Sequence, residues 1–378
     1  MRTIPTALLL SLALSTVGCE TQTPATTTPE PAPQPVATVA PVKPIPEGYF
    51  ELTPSITVVG VDAAVDFYVK AFAAQKLFTL PGPDGKTMHA EVKIGDSILM
   101  IDEENLQQGS RGPLAIGGSP ATLMIYTASA DDTVAAATAA GATVLMPVEE
   151  QFWGDRYGRL SDPFGHQWAI ATHVEDLTPE QMNERGALAM AAMAQEVTAK
   201  AKRGSSSSKR AKKAKPPAWK AVAGTPATSP TPAPYHTVTV AYVLHDAAAA
   251  IEFYKAAFGA VEKARMAMPD GRLMHAELAF GGSVLMISDE SPQMGTKSAK
   301  TLGGSPVSLM FYTPDADAVF AKATGAGAQA AMPVSDMFWG DRFGMVAGPD
   351  GFAWGVATHT IDLTPEQIAE RAKATPGS

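Results

Sequence analysis

Along the octapeptide "TMHAEVKI" (Thr87–Ile94), Met88, Ala90, Val92 and Ile94 fall on one side and His89, Glu91 and Lys93 on the other, the two-residue period of a strand with one buried face. Upstream the period changes. In "AAVDFYVKAFA", Val65, Tyr68 and Phe72 share one face of a helix, and Asp62 stands where its N-cap is expected. A short strand near residues 56–59 precedes this helix; a strand, a Gly-Pro-Asp-Gly turn, the alternating strand and a further strand, "SILMI", follow it. The order is β-α-β-β-β. It then recurs, with "ATLMIYT" as strand, "DDTVAAATAAGA" as a helix ending at Gly141, and "TVLMPVEEQF", "RYGRLSD" and "HQWAIAT" as three strands. In "TPEQ" Thr178 takes the N-cap, Pro179 the first helical position and Gln181 the capping-box site of a helix expected to run through roughly Gln195.

This whole pattern occurs twice. Tyr49 matches Tyr235, Phe67 matches Phe253, "MHAE" at Met88 matches Met274, "GGSP" at Gly117 matches Gly303, "FWGDR" at Phe152 matches Phe338 and "DLTPEQ" at Asp176 matches Asp362, every pair 186 residues apart. A constant offset means one duplicated unit of about 130 residues. The expected organisation is a first domain over 49–185, a helix end and linker over 186–234, a second domain over 235–372 and a tail over 373–378. Each domain holds two βαβββ modules, an α+β architecture.

Composition completes the frame. A chain of 378 residues with 46% hydrophobic content suffices for two cores, and a net charge of -9 argues against general nucleic-acid binding, which needs a basic excess. Residues 1–19 read as a signal peptide: Arg2, an apolar run from Ala7 to Leu14, then small residues ending in Gly18-Cys19. Cys19 is the only cysteine, so no intrachain disulfide is possible. Thr16-Val17-Gly18-Cys19 resembles a bacterial lipobox, with Thr16 where that pattern usually has Leu. The resemblance implies lipidation at Cys19 and a membrane-anchored lipoprotein of the bacterial cell envelope, facing periplasm or exterior; cleavage without lipid is the alternative. Residues 20–48, rich in Thr and Pro, read as an extended tether. Residues 200–220 hold nine Lys/Arg and no acid, which reads as a solvated spacer or as an electrostatic clasp onto acidic surfaces.

"FY..AFG", "HAE", "GGSP" and "FWGDRYG..DPFGHQWAIATH", set on paired βαβββ modules, resemble the vicinal oxygen chelate superfamily (glyoxalase I, bleomycin-resistance proteins, extradiol dioxygenases), and the long string is most similar to its PhnB-like branch. The resemblance implies that two modules curl into a cup with helices outside and a small-molecule ligand inside. Metal-dependent members carry His, Gln or Glu on the first and fourth strands of each module. Here those positions fall near Thr53, Ile98 or Met100, Ala121 or Thr122, and Ala169 in the first copy, and near Thr239, Val284 or Met286, Val307 or Ser308, and Gly355 in the second. Such a set names no metal or cofactor.

Candidate catalytic side chains are His89 with Glu91 and His275 with Glu277, a His and a carboxylate two apart on one strand face; a polar pair at the cup rim is the plainer reading. Candidate ligand-binding residues are Trp153, Arg156, Trp339 and Arg342, as walls and cationic anchors. In the same corner Gly154 permits a tight turn, and Asp155 is expected near Arg156 or on the turn's amides. His173 and His359 are expected to brace the corner between strand and helix. Two functions remain open: a protein that binds or sequesters a small molecule in a metal-free cup, and a glyoxalase-like (lactoylglutathione lyase type) or dioxygenase-like enzyme taking a divalent metal through the His/Glu pairs. In both, the two domains are expected to pair as an intramolecular pseudo-dimer.

Overall fold

The computed structural model describes residues 42–82, 84–203 and 217–374. The expected signal peptide with Cys19, most of the expected tether, the centre of the basic linker and residues 375–378 lie outside the described residues.

The first copy runs β1 (Leu52–Val58), α1 (Val61–Phe72), β2 (Gln75–Pro81), β3 (Thr87–Ile94), β4 (Ser97–Glu103), a short α2 (Pro113–Ile116), β5 (Ala121–Tyr126), α3 (Ala130–Ala139), β6 (Thr143–Glu150), β7 (Asp155–Ser161) and β8 (Gln167–His173). Then come β9 (Glu175–Asp176), α4 (Pro179–Arg203), a 3-10 turn (Ala218–Ala221) and β10 (Thr225–Pro226). The second copy repeats the order with β11 (Val238–Leu244), α5 (Ala247–Phe258), β12 (Val261–Ala267), β13 (Leu273–Phe280), β14 (Ser283–Asp289), α6 (Ala299–Leu302), β15 (Val307–Tyr312), α7 (Ala316–Gly325), β16 (Gln329–Asp336), β17 (Asp341–Ala347), β18 (Ala353–His359) and α8 (Pro365–Ala374).

The chain forms two mixed eight-stranded sheets, and each takes one module from each copy. One sheet has the order β16-β17-β18-β15-β1-β4-β3-β2, the other β12-β13-β14-β11-β5-β8-β7-β6. The joints are antiparallel: β1 pairs with β15, Ser55 opposite Ser308, and β11 pairs with β5, Ala241 opposite Thr122. Inside a module β4 covers only one edge of β1, so the other edge needs a partner, and the second copy supplies it. The helices hold each copy together, α1 packing on α3 and α5 on α7.

The repeated aromatic motifs build the core. Tyr68 and Phe72 of α1 meet Trp168 of β8 with ring centroids 5.4 and 4.7 Å apart, and Tyr254 and Phe258 meet Trp354 at 5.2 and 4.6 Å. Such clusters bury large apolar areas and fix ring geometry. His166, which Phe352 replaces in the second copy, is fully buried with its Nε2 2.8 Å from the Thr57 carbonyl.

Helix ends depart from the expected caps in one place. Asp246 caps α5, its carboxylate accepting from the Ala249 amide at 2.9 Å. Asp62 does not cap α1. The helix starts two residues earlier, Gly60 takes the N-cap in a left-handed conformation, and Glu103 at the end of β4 accepts from the Gly60 and Val61 amides. The capping box at Thr178 and Gln181 forms as expected. α4 continues to Arg203 because after Pro179 its sequence holds no proline, and the Ala- and Met-rich run beyond Gly186 favours helix.

Part of the linker is tied down. Trp219 is buried, with the Arg185 guanidinium 5.4 Å over its ring; Arg185 also pairs with Glu175 at 2.6 Å and donates to the Val222 carbonyl. β10 pairs with β9, and Lys220 meets Glu150. Both the spacer and the clasp reading are thus modified: aromatic packing on Arg185, with one ion pair beside it, holds this end of the linker.

Candidate functional site

Each sheet has one face under the helices and one face lining a cup. On β3, Ala90, Val92 and Ile94 are buried in the core while His89 and Glu91 point to the cup side, as the alternation requires. The segments before β1 and β11 cross the cups. Pro44 accepts the His359 amide and Pro230 the His173 amide, both at 3.0 Å, and Tyr49 and Tyr235 reach in from these segments.

In the first cup, formed by β1–β4 and β15–β18, a polar chain runs from one module to the other. Ser55 Oγ donates to Asp102, whose other oxygen lies 2.7 Å from His89 Nδ1. His89 Nε2 is 3.6 Å from Glu91, to which the Tyr49 hydroxyl is bonded. The Tyr49 ring meets Tyr312 edge-on at 5.5 Å. Asp341 then collects three donors: Tyr312 Oη at 3.1 Å, Trp339 Nε1 at 3.2 Å and His359 Nδ1 at 2.7 Å. Asp362 bonds the far nitrogen of His359 at 3.0 Å. Burial opposes charge on His89, but the Asp102 carboxylate more than offsets it and, with Glu91, raises its pKa to about 10. Asp102 is correspondingly lowered, burial being outweighed by His89 and Ser55. His89 is therefore an imidazolium at neutral pH.

The second cup, formed by β11–β14 and β5–β8, repeats half of this chain. His275 Nε2 is 3.0 Å from Glu277, which also accepts from Tyr235 at 2.6 Å. Tyr235 packs on Tyr126 at 5.6 Å, and Asp155 accepts from Tyr126, Trp153 and His173 at 3.1, 3.0 and 2.7 Å. Ala241 and Ser288 replace Ser55 and Asp102, so His275 lacks the carboxylate that holds His89. A further difference lies on β7: Arg159 faces this cup, donating through Nη2 to Gln167, where the first cup has Met345 and Ala353.

The raised pKa of His89 carries a linkage. Its folded value of about 10 exceeds the ordinary value of 6.5, so its stabilising contribution is complete below pH 6.5 and is lost as pH rises through 10. The expected size is on the order of 3 kcal/mol. His89→Gln and Asp102→Asn should therefore flatten the fall in urea stability between pH 7 and 10, and His275→Gln should leave it in place. An unchanged slope in both first-cup variants would refute the ion pair.

The "FWGDR" corners serve the cups in part. A Cβ on Gly154 would lie 2.3 Å from the Glu175 carbonyl oxygen, and on Gly340 2.4 Å from that of Ile361, so only glycine fits these crossings. Trp339 belongs to the first cup's apolar cluster with Tyr49, Tyr312, Phe343 and Met310, and Trp153 meets Tyr157 edge-on at 5.5 Å. Arg156 and Arg342 lie on the opposite strand face, each clamped in two hydrogen bonds to Asp131 or Asp317 in the first turn of α3 or α7. Asp155 does not pair with Arg156, because consecutive strand residues face opposite ways. Its partners are inside the cup. His173 and His359 brace their corners as expected and also end the two polar chains.

Register fixes which residues take the metal positions of the family. Thr53 lies opposite Met310, Met310 beside Gly355, and Ser55 beside Met100; in the second cup Thr239 lies opposite Met124, Met124 beside Ala169, and Ala241 beside Met286. The third position is thus Met310 or Met124 in place of Ser308 or Thr122, and each set of four mixes the two copies. Hydroxyl, thioether, glycine and alanine do not make a site for a hard divalent ion. Among the described residues no three His, Cys, Asp or Glu side chains are grouped to hold one. The residues present do not fit the family's metal.

Sequence reasoning found the His/Glu pairs, read Asp155 only as a corner residue, and missed Ser55, Asp102, Asp341, Arg159 and the cup tyrosines. Comparing the copies at offset 186 would have exposed Ser55/Ala241, Asp102/Ser288 and Arg159/Met345 as polar positions that differ.

Residues 51–170 and 236–356 both match the family described as the Glyoxalase/Bleomycin resistance protein/Dioxygenase superfamily. An uncharacterized protein of Mycobacterium bovis is 39% identical over 134 residues, 35% of this chain and 88% of that protein. One of Arabidopsis thaliana is 34% identical over 125 residues, 31% of this chain and 74% of that protein. Among solved structures, glyoxalase I from Zea mays aligns over 86% of this chain and 96% of its own, with a TM-score of 0.51 at 13% identity, a likeness of fold. With both copies matched and two sheets of the family's eight-stranded form, the chain belongs to the glyoxalase/bleomycin resistance/dioxygenase superfamily as a tandem of two vicinal oxygen chelate domains.

Proposed function

We propose that this chain is a lipid-anchored protein outside the cytoplasm that binds or sequesters a small molecule in metal-free cups. The carrying observation is the donor set at the cup centres: Thr53, Met100, Met310 and Gly355 in one, Thr239, Met286, Met124 and Ala169 in the other. Aromatic and methionine walls with a few fixed polar groups suit ligand binding. The lipobox-like Cys19 and the Pro-rich tether support an anchor in the envelope; incorporation of labelled palmitate that is lost in Cys19→Ser tests that part.

The functional test pairs binding with turnover. After exposure to Zn2+, Ni2+ or Mn2+ and dialysis, the protein is expected to retain no stoichiometric metal and to form no lactoylglutathione from methylglyoxal and glutathione, while small aromatic ligands change its tryptophan fluorescence. Stoichiometric metal that is lost in His89→Gln and His275→Gln would overturn this reading in favour of the enzyme. One observation favours that second reading, the Asp102–His89–Glu91 chain. As an imidazolium, His89 would serve to donate a proton or hold an oxyanion.

A further inference from the structure

The two cups differ in their balance of charge. In the second cup both carboxylates are satisfied: Asp155 by His173, Tyr126 and Trp153, and Glu277 by His275 and Tyr235. Arg159 is not. Among the described residues its one hydrogen bond runs from Nη2 to Gln167, its buried Nε has no partner, and it makes no ion pair. A guanidinium keeps its charge whatever its surroundings, and a buried donor left unpaired is costly. Its neighbours across the sheet are Met146 on one side and Ala169 on the other, and neither is an acid.

We propose that Arg159 is the anchor of a binding site for a small organic carboxylate with an aromatic body, present in the second cup and absent from the first. Nε and Nη2 form the side of the guanidinium that takes a carboxylate through two parallel hydrogen bonds. Gln167 occupies one Nη2 hydrogen and sets the plane of the group, leaving the Nε edge for the ligand. Tyr157, Tyr126 and Tyr235 supply the aromatic wall. The first cup offers Met345 and Ala353 at the corresponding positions, and neither side chain can pair with a carboxylate.

This inference rests on the ligand-binding reading above and is tested separately from it. Calorimetric titration of the full chain with 4-hydroxybenzoate and with neutral 4-hydroxybenzamide should give one benzoate site per chain and at least tenfold weaker amide binding, about the worth of one charge-assisted pair. Arg159→Met, which installs the residue of the other copy, should lose tenfold or more in benzoate affinity and leave amide affinity unchanged. Arg159→Lys, which keeps charge but loses the planar fork, should fall in between and stands in if the Met variant fails to fold. Undiminished benzoate affinity in either folded variant, or equal affinity for acid and amide, would overturn the anion site while leaving the ligand-binding reading intact. Absence of benzoate binding by the wild-type chain at millimolar concentration would also overturn it.

Discussion

Asp162→Ala is expected to destabilise the protein by about 4 kcal/mol, more than its counterpart Asp350→Ala at about 2 kcal/mol. Asp162 is buried in the turn between β7 and β8 and accepts four hydrogen bonds: from the Tyr68 hydroxyl at 2.8 Å, Trp168 Nε1 at 2.9 Å, and the amides of Phe164 and His166 at 3.0 and 2.8 Å. Removing it leaves those donors in the aromatic core without an acceptor. Asp350 accepts from Tyr254 and from the Phe352 amide, and Trp354 Nε1 has no partner among the described residues. The copies therefore differ by two donors at this position. Urea unfolding at pH 7 reads the difference, and equal losses at the two sites would contradict the assignment. The Asp of "DPFG" thus acts as a core fastener, binding the "FY" helix to the "HQW" strand.

The second large effect concerns the exchange of modules. A chain of residues 42–223 alone contains β1 and β5 without the strands they pair with in the intact protein, β15 and β11. Two such chains can restore both joints by pairing with each other, as identical elements do when they are swapped between protomers. Residues 42–223 are expected to be dimeric by light scattering at micromolar concentration, and the full chain monomeric, since its linker supplies the partner at high effective concentration. A folded, monomeric single copy would contradict this account.

Much of this architecture was legible in the sequence. The constant offset of 186 residues fixed the duplication, and the periods of "TMHAEVKI" and "AAVDFYVKAFA" placed a strand and a helix where they occur. What could not be read was which β1 edge meets which strand. β5 and β15 are near copies, "ATLMIY" and "VSLMFY", so local pattern is equally compatible with either partner. The site divided along the same line. His89 and Glu91 share one strand and were visible by alternation, whereas Asp102 reaches His89 only through the pairing of β3 with β4. Arg156 looked like a ligand anchor because charge alone does not show facing; the structure turns it toward α3 and turns Arg159, three residues on, toward the cup. The linker hid its contact because Trp219 lies in a basic, Pro-flanked run, and its partner Arg185 sits on a helix 34 residues earlier.

The central claim is that each cup is shared between the copies, and a cross-link tests it most directly. In a Cys19→Ser background no native thiol remains, so two introduced cysteines report on one strand pair. Ser55 on β1 lies opposite Ser308 on β15, and directly opposed residues of antiparallel strands meet the Cα separation a disulfide needs. Thr122, the counterpart of Ser308 in the first copy, lies in the other sheet, opposite Ala241. Ser55→Cys with Ser308→Cys is predicted to give an intrachain disulfide on mild oxidation, identified by mass spectrometry of the linked peptides, and Ser55→Cys with Thr122→Cys to give none. A disulfide joining positions 55 and 122, with positions 55 and 308 left unlinked, would show that each copy closes its own sheet and would contradict the shared cups.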